Sequence, residues 1–122
     1  MSFFLAMLLT FPALVLAKEN GHFLPCDDSK PQVVHVGLGR ITILSFPLVP
    51  REVLPGENVF DFKQIKNDLA IKALRGSSRT NVVVYLQERR CAFDLIAVQG
   101  RGDDIISIKD SRDAKLEPRF SN

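Results

Sequence analysis

The order of apolar and polar positions divides the chain into an uncharged leader and a series of short alternating segments. Residues 1–17 carry no charged side chain and end in Val-Leu-Ala, after which Lys18 and Glu19 open a polar stretch. From residue 32 onward, short runs alternate apolar with polar side chains, which is typical of β-strands that have one buried face. We predict strands over these runs, at residues 32–36, 40–46, 59–62, 69–74, 80–86, 90–98 and 104–109.

The clearest predicted element is a β-hairpin over residues 81–98. Residues 80–86 are rich in β-branched side chains, which favour strands, and the polar residues 87–89 make a tight turn after them. Val83 lies inside this apolar run, so we expect its strand to be buried on both faces. The side chains expected in the core are those of Val82, Val84, Phe93 and Leu95.

The fold class follows from the spacing of the strands. Turns rich in Gly or Pro separate most of them, no long helical periodicity follows the leader, and residues 63–68 form a polar connection with room for one helical turn. This pattern indicates an all-β fold, a small β-sandwich or a partly open barrel of about 7–8 short strands. We place the domain at residues 32–110, between a flexible N-terminal arm at 18–31 and a flexible C-terminal tail at 111–122.

The leader is predicted to be a cleaved signal peptide of residues 1–17. An apolar run that stops at short side chains, here Val15 and Ala17, is typical of secretory signals. The alternative is an uncleaved signal anchor, but Pro12 interrupts the run, and a spanning helix needs about 20 apolar residues. We therefore expect a protein of the periplasm or a secreted protein.

The two cysteines are Cys26, in the predicted arm, and Cys91, near the start of a predicted strand. In an oxidising compartment an even number of cysteines favours a disulfide. A Cys26–Cys91 bridge would stabilise the fold by about 4 kcal/mol. The alternative is a pair of reduced, buried thiols. Lipid attachment at Cys26 is not favoured, because Lys18 and Glu19 separate this cysteine from the apolar run.

Composition and motifs favour a protein without catalytic, metal or cofactor chemistry. The chain has a net charge of +2 and no Trp, so it lacks the basic, aromatic-rich stripe of a nucleic-acid surface. His22 and His35 match no zinc-site spacing, and the sequence has no nucleophile-elbow motif. We interpret residues 37–39 (GLG) and 101–103 (RGD) as turns, not as a dinucleotide loop and an adhesion motif. We expect no enzyme activity, cofactor, metal, small-molecule substrate or nucleic-acid partner.

Four short motifs between residues 32 and 98 follow an order found in a known family. They are a Gly turn with a hydroxyl residue and an apolar pair at residues 39–44, an n-x-L-x-I-x-x strand at 67–72, a Thr-Asn strand at 80–84, and a strand aromatic at 93–95. In this order they resemble the N-terminal periplasmic domain of type IV secretion and conjugation outer-membrane subunits, of the TrbG and TraK kind. The same pattern is similar to the small N-terminal β-domain of pilus and type II secretins.

The resemblance implies a structural role. We expect a periplasmic subunit of an envelope-spanning secretion or conjugation machine, whose partners are other protein subunits of that complex. The resemblance also implies that the chain associates with the outer membrane only through these partners. Members of the family continue into a second domain, whereas this sequence stops at Asn122, so we expect a lone module or a shortened subunit. The alternatives are a stand-alone secreted binding module, such as an inhibitor or adhesion factor, and a β-domain associated with a pilus or secretin.

The candidate contact surface is the segment 47–53, which prolines bracket. Because proline cannot donate to a strand ladder, it is confined to edge strands and bulges, so we predict an edge of a sheet here. The candidate partner-contact residues are Pro50, Arg51 and Glu52.

Overall fold

The fold is an open β-sandwich. The computed structural model of the chain describes residues 22–109, so the predicted signal peptide 1–17 and tail 111–122 lie outside the described residues. The described part has nine strands and no helix, which confirms the all-β prediction and exceeds the expected strand number. The strands are β1 (Phe23–Pro25), β2 (Gln32–Gly37), β3 (Ile41–Ser45), β4 (Glu52–Pro55), β5 (Phe60–Ile65), β6 (Asp68–Ala73), β7 (Arg79–Tyr85), β8 (Arg90–Val98) and β9 (Ile105–Lys109).

The strands form two sheets that do not close into a barrel. The five-stranded sheet has the order β1-β9-β3-β6-β5, and the four-stranded sheet has the order β2-β8-β7-β4. β9 pairs in parallel with both β1 and β3, and β2 pairs in parallel with β8. The predicted hairpin over residues 81–98 is confirmed as the antiparallel β7–β8 pair, in which Val82 lies opposite Phe93.

The core lies between the two sheets, because most strands turn their apolar side chains toward that space. Val82, Val84, Phe93 and Leu95 have no exposed surface, as predicted. The ring of Phe46 meets the ring of Phe93 edge-on, with 6.0 Å between ring centroids, a favourable geometry for aromatic pairs.

Val83 departs from the prediction that its strand is buried on both faces. Its side chain is only half-buried, while its neighbours Val82 and Val84 are fully buried. Successive side chains point to opposite faces of a strand, and Val83 lies on the outer face of this mixed sheet, which borders solvent. An unbroken apolar run is therefore not by itself a sign of burial on both faces.

The N-terminal part of the described chain belongs to the sandwich. β1 lies within the predicted arm 18–31 and pairs with β9. The N–H of Cys26 donates a hydrogen bond to the carbonyl of Lys109 at 2.7 Å, and the Lys109 ammonium lies 4.3 Å from the centroid of the Phe23 ring. A three-residue strand is too short to show alternation, so the sequence gives no sign of it.

The polar connection 63–68 forms a β-hairpin instead of a helical turn. β5 continues to Ile65 and β6 begins at Asp68, so only Lys66 and Asn67 connect them. Lys66 has a φ of 55°, a left-handed conformation that suits a tight turn. Asn67 fixes the turn to the core, because it exchanges hydrogen bonds with the backbone of Phe46.

A segment near the C-terminal end of the described chain crosses the outer edge of β2. Gly102 forms a bridge with Val36, and the N–H of Asp103 donates to the carbonyl of His35 at 2.7 Å. A Cβ at Gly37 would overlap the carbonyl oxygen of Arg101, and one at Gly102 would lie 2.5 Å from the amide nitrogen of Gly37. Glycine therefore permits the close approach of these two backbones.

Gly37→Ala is expected to lower the free energy of unfolding by about 1–3 kcal/mol, the usual cost of overpacking. The added methyl group would force the crossing segment away from β2. Chemical denaturation measures the effect. The matched control is Gly76→Ala, whose Cβ would find ordinary contacts at 3.6 Å, so its effect is expected to stay within about 0.5 kcal/mol. Equal stability of the two variants would contradict the need for glycine at position 37.

Candidate functional site

The predicted edge segment ends in a true edge strand. β4 pairs only with β7 among the described strands, with Glu52 opposite Tyr85 and Val53 opposite Val84. Just before β4, the N–H of Arg51 donates to the carbonyl of Tyr85 at 2.7 Å. This bond attaches the proline-bracketed segment to the four-stranded sheet.

The three candidate contact residues differ in their exposure. Pro50 is buried, and its carbonyl accepts a hydrogen bond from the side-chain amide of Gln64 at 2.7 Å. Arg51 and Glu52 are both exposed. Pro50 therefore holds the segment in place, and Arg51 and Glu52 are the members of the predicted set that solvent or a partner reaches.

The hydrogen bond between Gln64 and Pro50 shows how the edges of the two sheets are placed relative to each other. It joins β5, an edge of the five-stranded sheet, to the residues just before β4, an edge of the four-stranded sheet. The two edges thus lie on the same side of the sandwich. The chain passes from one to the other through residues 56–59, where the N–H of Glu57 donates to the hydroxyl of Thr80 at 2.9 Å.

A shallow apolar cleft adjoins the exposed pair. Its volume is about 370 Å³, and its lining residues are Leu48, Val49, Pro50, Arg51 and Gln87. Val49 is 53% exposed, so an apolar side chain faces solvent next to the charged Arg51. An apolar spot with a polar rim is a common form of a protein-contact site. Sequence alone does not show this cleft, because Gln87 comes from the β7–β8 turn.

A second cleft, of about 530 Å³, lies between the disulfide and the β7–β8 turn. Several of its charged side chains have partners within the fold. The guanidinium of Arg90 donates twice to the Asp28 carboxylate, at 3.1 and 2.8 Å, and hydrogen bonds to Tyr85 and Asp28 raise the pKa of Arg90. Hydrogen bonds from the hydroxyl and N–H of Ser29 lower the pKa of Asp27. These carboxylates serve as acceptors for local structure.

The predicted disulfide is confirmed. Cys26 and Cys91 are bonded, with 4.6 Å between their Cα atoms. Cys26 follows β1 of the five-stranded sheet, and Cys91 lies in β8 of the four-stranded sheet. The bond therefore links the two sheets beside the second cleft.

The tripeptide 101–103 (RGD) makes contacts within the fold through Asp103. The Asp103 carboxylate accepts the N–H of His35 at 2.8 Å, and its side chain is only 20% exposed. The imidazoles of His35 and His22 flank this carboxylate at 3.8 and 4.0 Å. Within residues 22–109, no group of three or more His, Cys, Asp or Glu side chains is placed to hold a metal ion.

Between His22 and Lys109 there is no helix with the length and apolar character needed to cross a membrane. No family model matches the chain, and no curated protein matches its sequence.

Proposed function

We propose that this chain is an exported structural subunit of an envelope-spanning secretion or conjugation machine, acting through protein–protein contacts. The observation that carries the proposal is the exposed β4 edge, with Arg51 and Glu52 beside an apolar cleft. Such an edge offers unpaired backbone groups, a rim of both charges and an apolar spot to a partner. In this proposal the partners are other subunits, and the chain meets the outer membrane only through them.

The disulfide is evidence about the cellular compartment of the chain. Structural disulfides persist in oxidising compartments and are rare in the cytosol, so the Cys26–Cys91 bond indicates a location outside the cytoplasm. The finer assignment to the periplasm of a secretion or conjugation machine draws on the predicted signal peptide and on the family resemblance.

A stand-alone secreted binding module is the second candidate. A small disulfide-bonded domain with an exposed edge also suits an inhibitor or adhesion factor that acts alone. Affinity purification from native envelopes distinguishes the two. A structural subunit is retained in a large membrane-associated complex, whereas a free factor is recovered without envelope proteins, which would contradict the subunit proposal.

Exchanging the charges of the edge pair, by Arg51→Glu with Glu52→Lys, is expected to weaken partner binding about tenfold, because rim charges govern encounter and specificity. The free energy of unfolding is expected to change by less than about 0.5 kcal/mol, as is usual at exposed positions. Quantitative co-purification and thermal denaturation measure the two effects.

The matched control for this exchange is Arg75→Glu, which reverses an exposed charge in the loop before β7 and is expected to leave partner binding unchanged. Equal loss of binding in the control would show that binding responds to any change of surface charge, and not to the β4 edge in particular.

A further inference from the structure

We propose that a second copy of this chain binds along the β5 edge, so that the five-stranded sheets of two copies join into one continuous sheet. The inference rests on the proposed function for its biological meaning, and it adds one named partner to that function. Its physical basis is separate and lies in the length, backbone direction and charge pattern of β5.

β5 is the longest open edge in the described part of the chain. β1 has three residues, and β4 has four and ends in Pro55, which has no N–H to donate. The outer side of β2 is bridged by Gly102 and bonded to Asp103. β5 has six residues and, of the strands within residues 22–109, pairs with β6 alone.

The backbone of β5 has free bonding groups at every second residue. Leu74 donates its N–H to the carbonyl of Val59 at 3.2 Å, which fixes the alternation along the antiparallel pair. The groups of Asp61 and Lys63 accordingly point toward β6. The backbone N–H and carbonyl groups of Phe60, Phe62 and Gln64 point away from β6, and no other described strand pairs with them.

The charges on the outer face of β5 are complementary to themselves. Asp61 and Lys63 are exposed, two residues apart, and Phe62 lies between them. When two copies of β5 pair antiparallel about a two-fold axis at Phe62, Asp61 of each copy lies opposite Lys63 of the other. The same register places Phe62 opposite Phe62 and Phe60 opposite Gln64, so every outward backbone group meets a partner.

The same two charges disfavour the neighbouring registers. An axis at Asp61 places the two Asp61 carboxylates opposite each other, and an axis at Lys63 does the same for the two ammonium groups. Opposite charges in directly facing positions stabilise a strand pair, and like charges destabilise it. A lysine can block the pairing of two edge strands by its charge. Here, in the register centred on Phe62, Lys63 of one copy faces the opposite charge of Asp61 of the other.

The test is sedimentation equilibrium of the oxidised, exported chain and of two charge variants. The wild type is expected to show a concentration-dependent dimer. Asp61→Lys and Lys63→Asp each place like charges opposite each other, so each is expected to weaken the dimer about tenfold or more. An equimolar mixture of the two variants is expected to associate again, because lysines at positions 61 and 63 of one copy then face aspartates of the other.

A second pair of variants tests the backbone. Gln64→Pro removes an outward N–H and Gln64→Ala keeps it, while both remove the side-chain bond to Pro50. We expect only the proline variant to lose the dimer, with circular dichroism showing that both are folded.

Three results would overturn the inference: a wild type that stays monomeric up to about 1 mM, the weak end of specific affinity; a dimer insensitive to both charge variants; or mixed variants that do not associate. A monomer that still co-purifies with envelope subunits would overturn only this inference and leave the proposed function standing.

Discussion

Removing the Cys26–Cys91 bond is expected to lower the free energy of unfolding by about 4 kcal/mol. The two cysteines are 65 positions apart, and a bond that closes a loop of this length restricts the unfolded chain strongly in the chain-entropy model. The variant is the double substitution Cys26→Ala with Cys91→Ala. Urea denaturation of the variant and of the oxidised wild type measures the difference.

The position of the bond explains why the loss should be large. β1 is a three-residue edge strand that pairs with β9 alone among the described strands, so it has few ladder bonds there. The disulfide connects the residue after β1 to fully buried Cys91 in the opposite sheet. Without it, β1 is expected to separate from β9 before the rest of the sandwich unfolds, and hydrogen exchange in β1 should become faster.

Reductant provides the control for the disulfide prediction. Reduction should destabilise the wild type to about the level of the double alanine variant, and it should leave the variant unchanged. A wild type whose denaturation midpoint is the same with and without reductant would show that the bond contributes little to stability.

Local sequence patterns predict most of the strands, because most of them alternate buried and more exposed positions. β8 is the clearest example, since residues 90–98 match its observed bounds and turn Cys91, Phe93, Leu95 and Ala97 to the core. β5 shows the limit of the method. Its second half is exposed, and two of its three residues are polar. The edge of the sheet borders solvent here, so the pattern suggests a connection.

For most strands, local sequence patterns do not predict which strand lies beside them in the sheet. A short polar turn predicts an antiparallel neighbour, which is why the β7–β8 hairpin follows from the sequence. β2 pairs in parallel with β8, far along the chain, and alternation states which face is buried but not which strand lies beside it. The five-stranded order, with β9 between β1 and β3, is unpredictable for the same reason.

The candidate contact surface was predictable only in part. Prolines in the segment 47–53 correctly indicate an edge, and Arg51 and Glu52 are exposed beside it. Pro50 is buried, and its carbonyl accepts a hydrogen bond from Gln64, which belongs to a different sheet. Side chains that meet through the fold in this way leave no signal in the spacing of residues.

Placing a charge at Val84 is expected to unfold the domain, whereas the same charge at Val83 is tolerated. Val84 has no exposed surface and lies in the core, where an unpaired carboxylate is strongly unfavourable. Val84→Asp should lower the free energy of unfolding by about 4–5 kcal/mol or more, which is most of the stability of a typical small domain. Far-ultraviolet circular dichroism and thermal denaturation measure the loss.

Val83→Asp is the matched control, because it makes the same substitution one residue away on the same strand. Val83 is half-buried on the outer face, where it lies opposite Leu54 and Ala92. Its carboxylate would keep contact with water, so the expected loss is about 1 kcal/mol. A folded Val84→Asp variant together with an unfolded Val83→Asp variant would mean that the four-stranded sheet turns its other face to the core. That result would also move Leu54 inward and remove it from the surface beside Arg51 and Glu52, so the same pair of variants tests the placement of the contact edge.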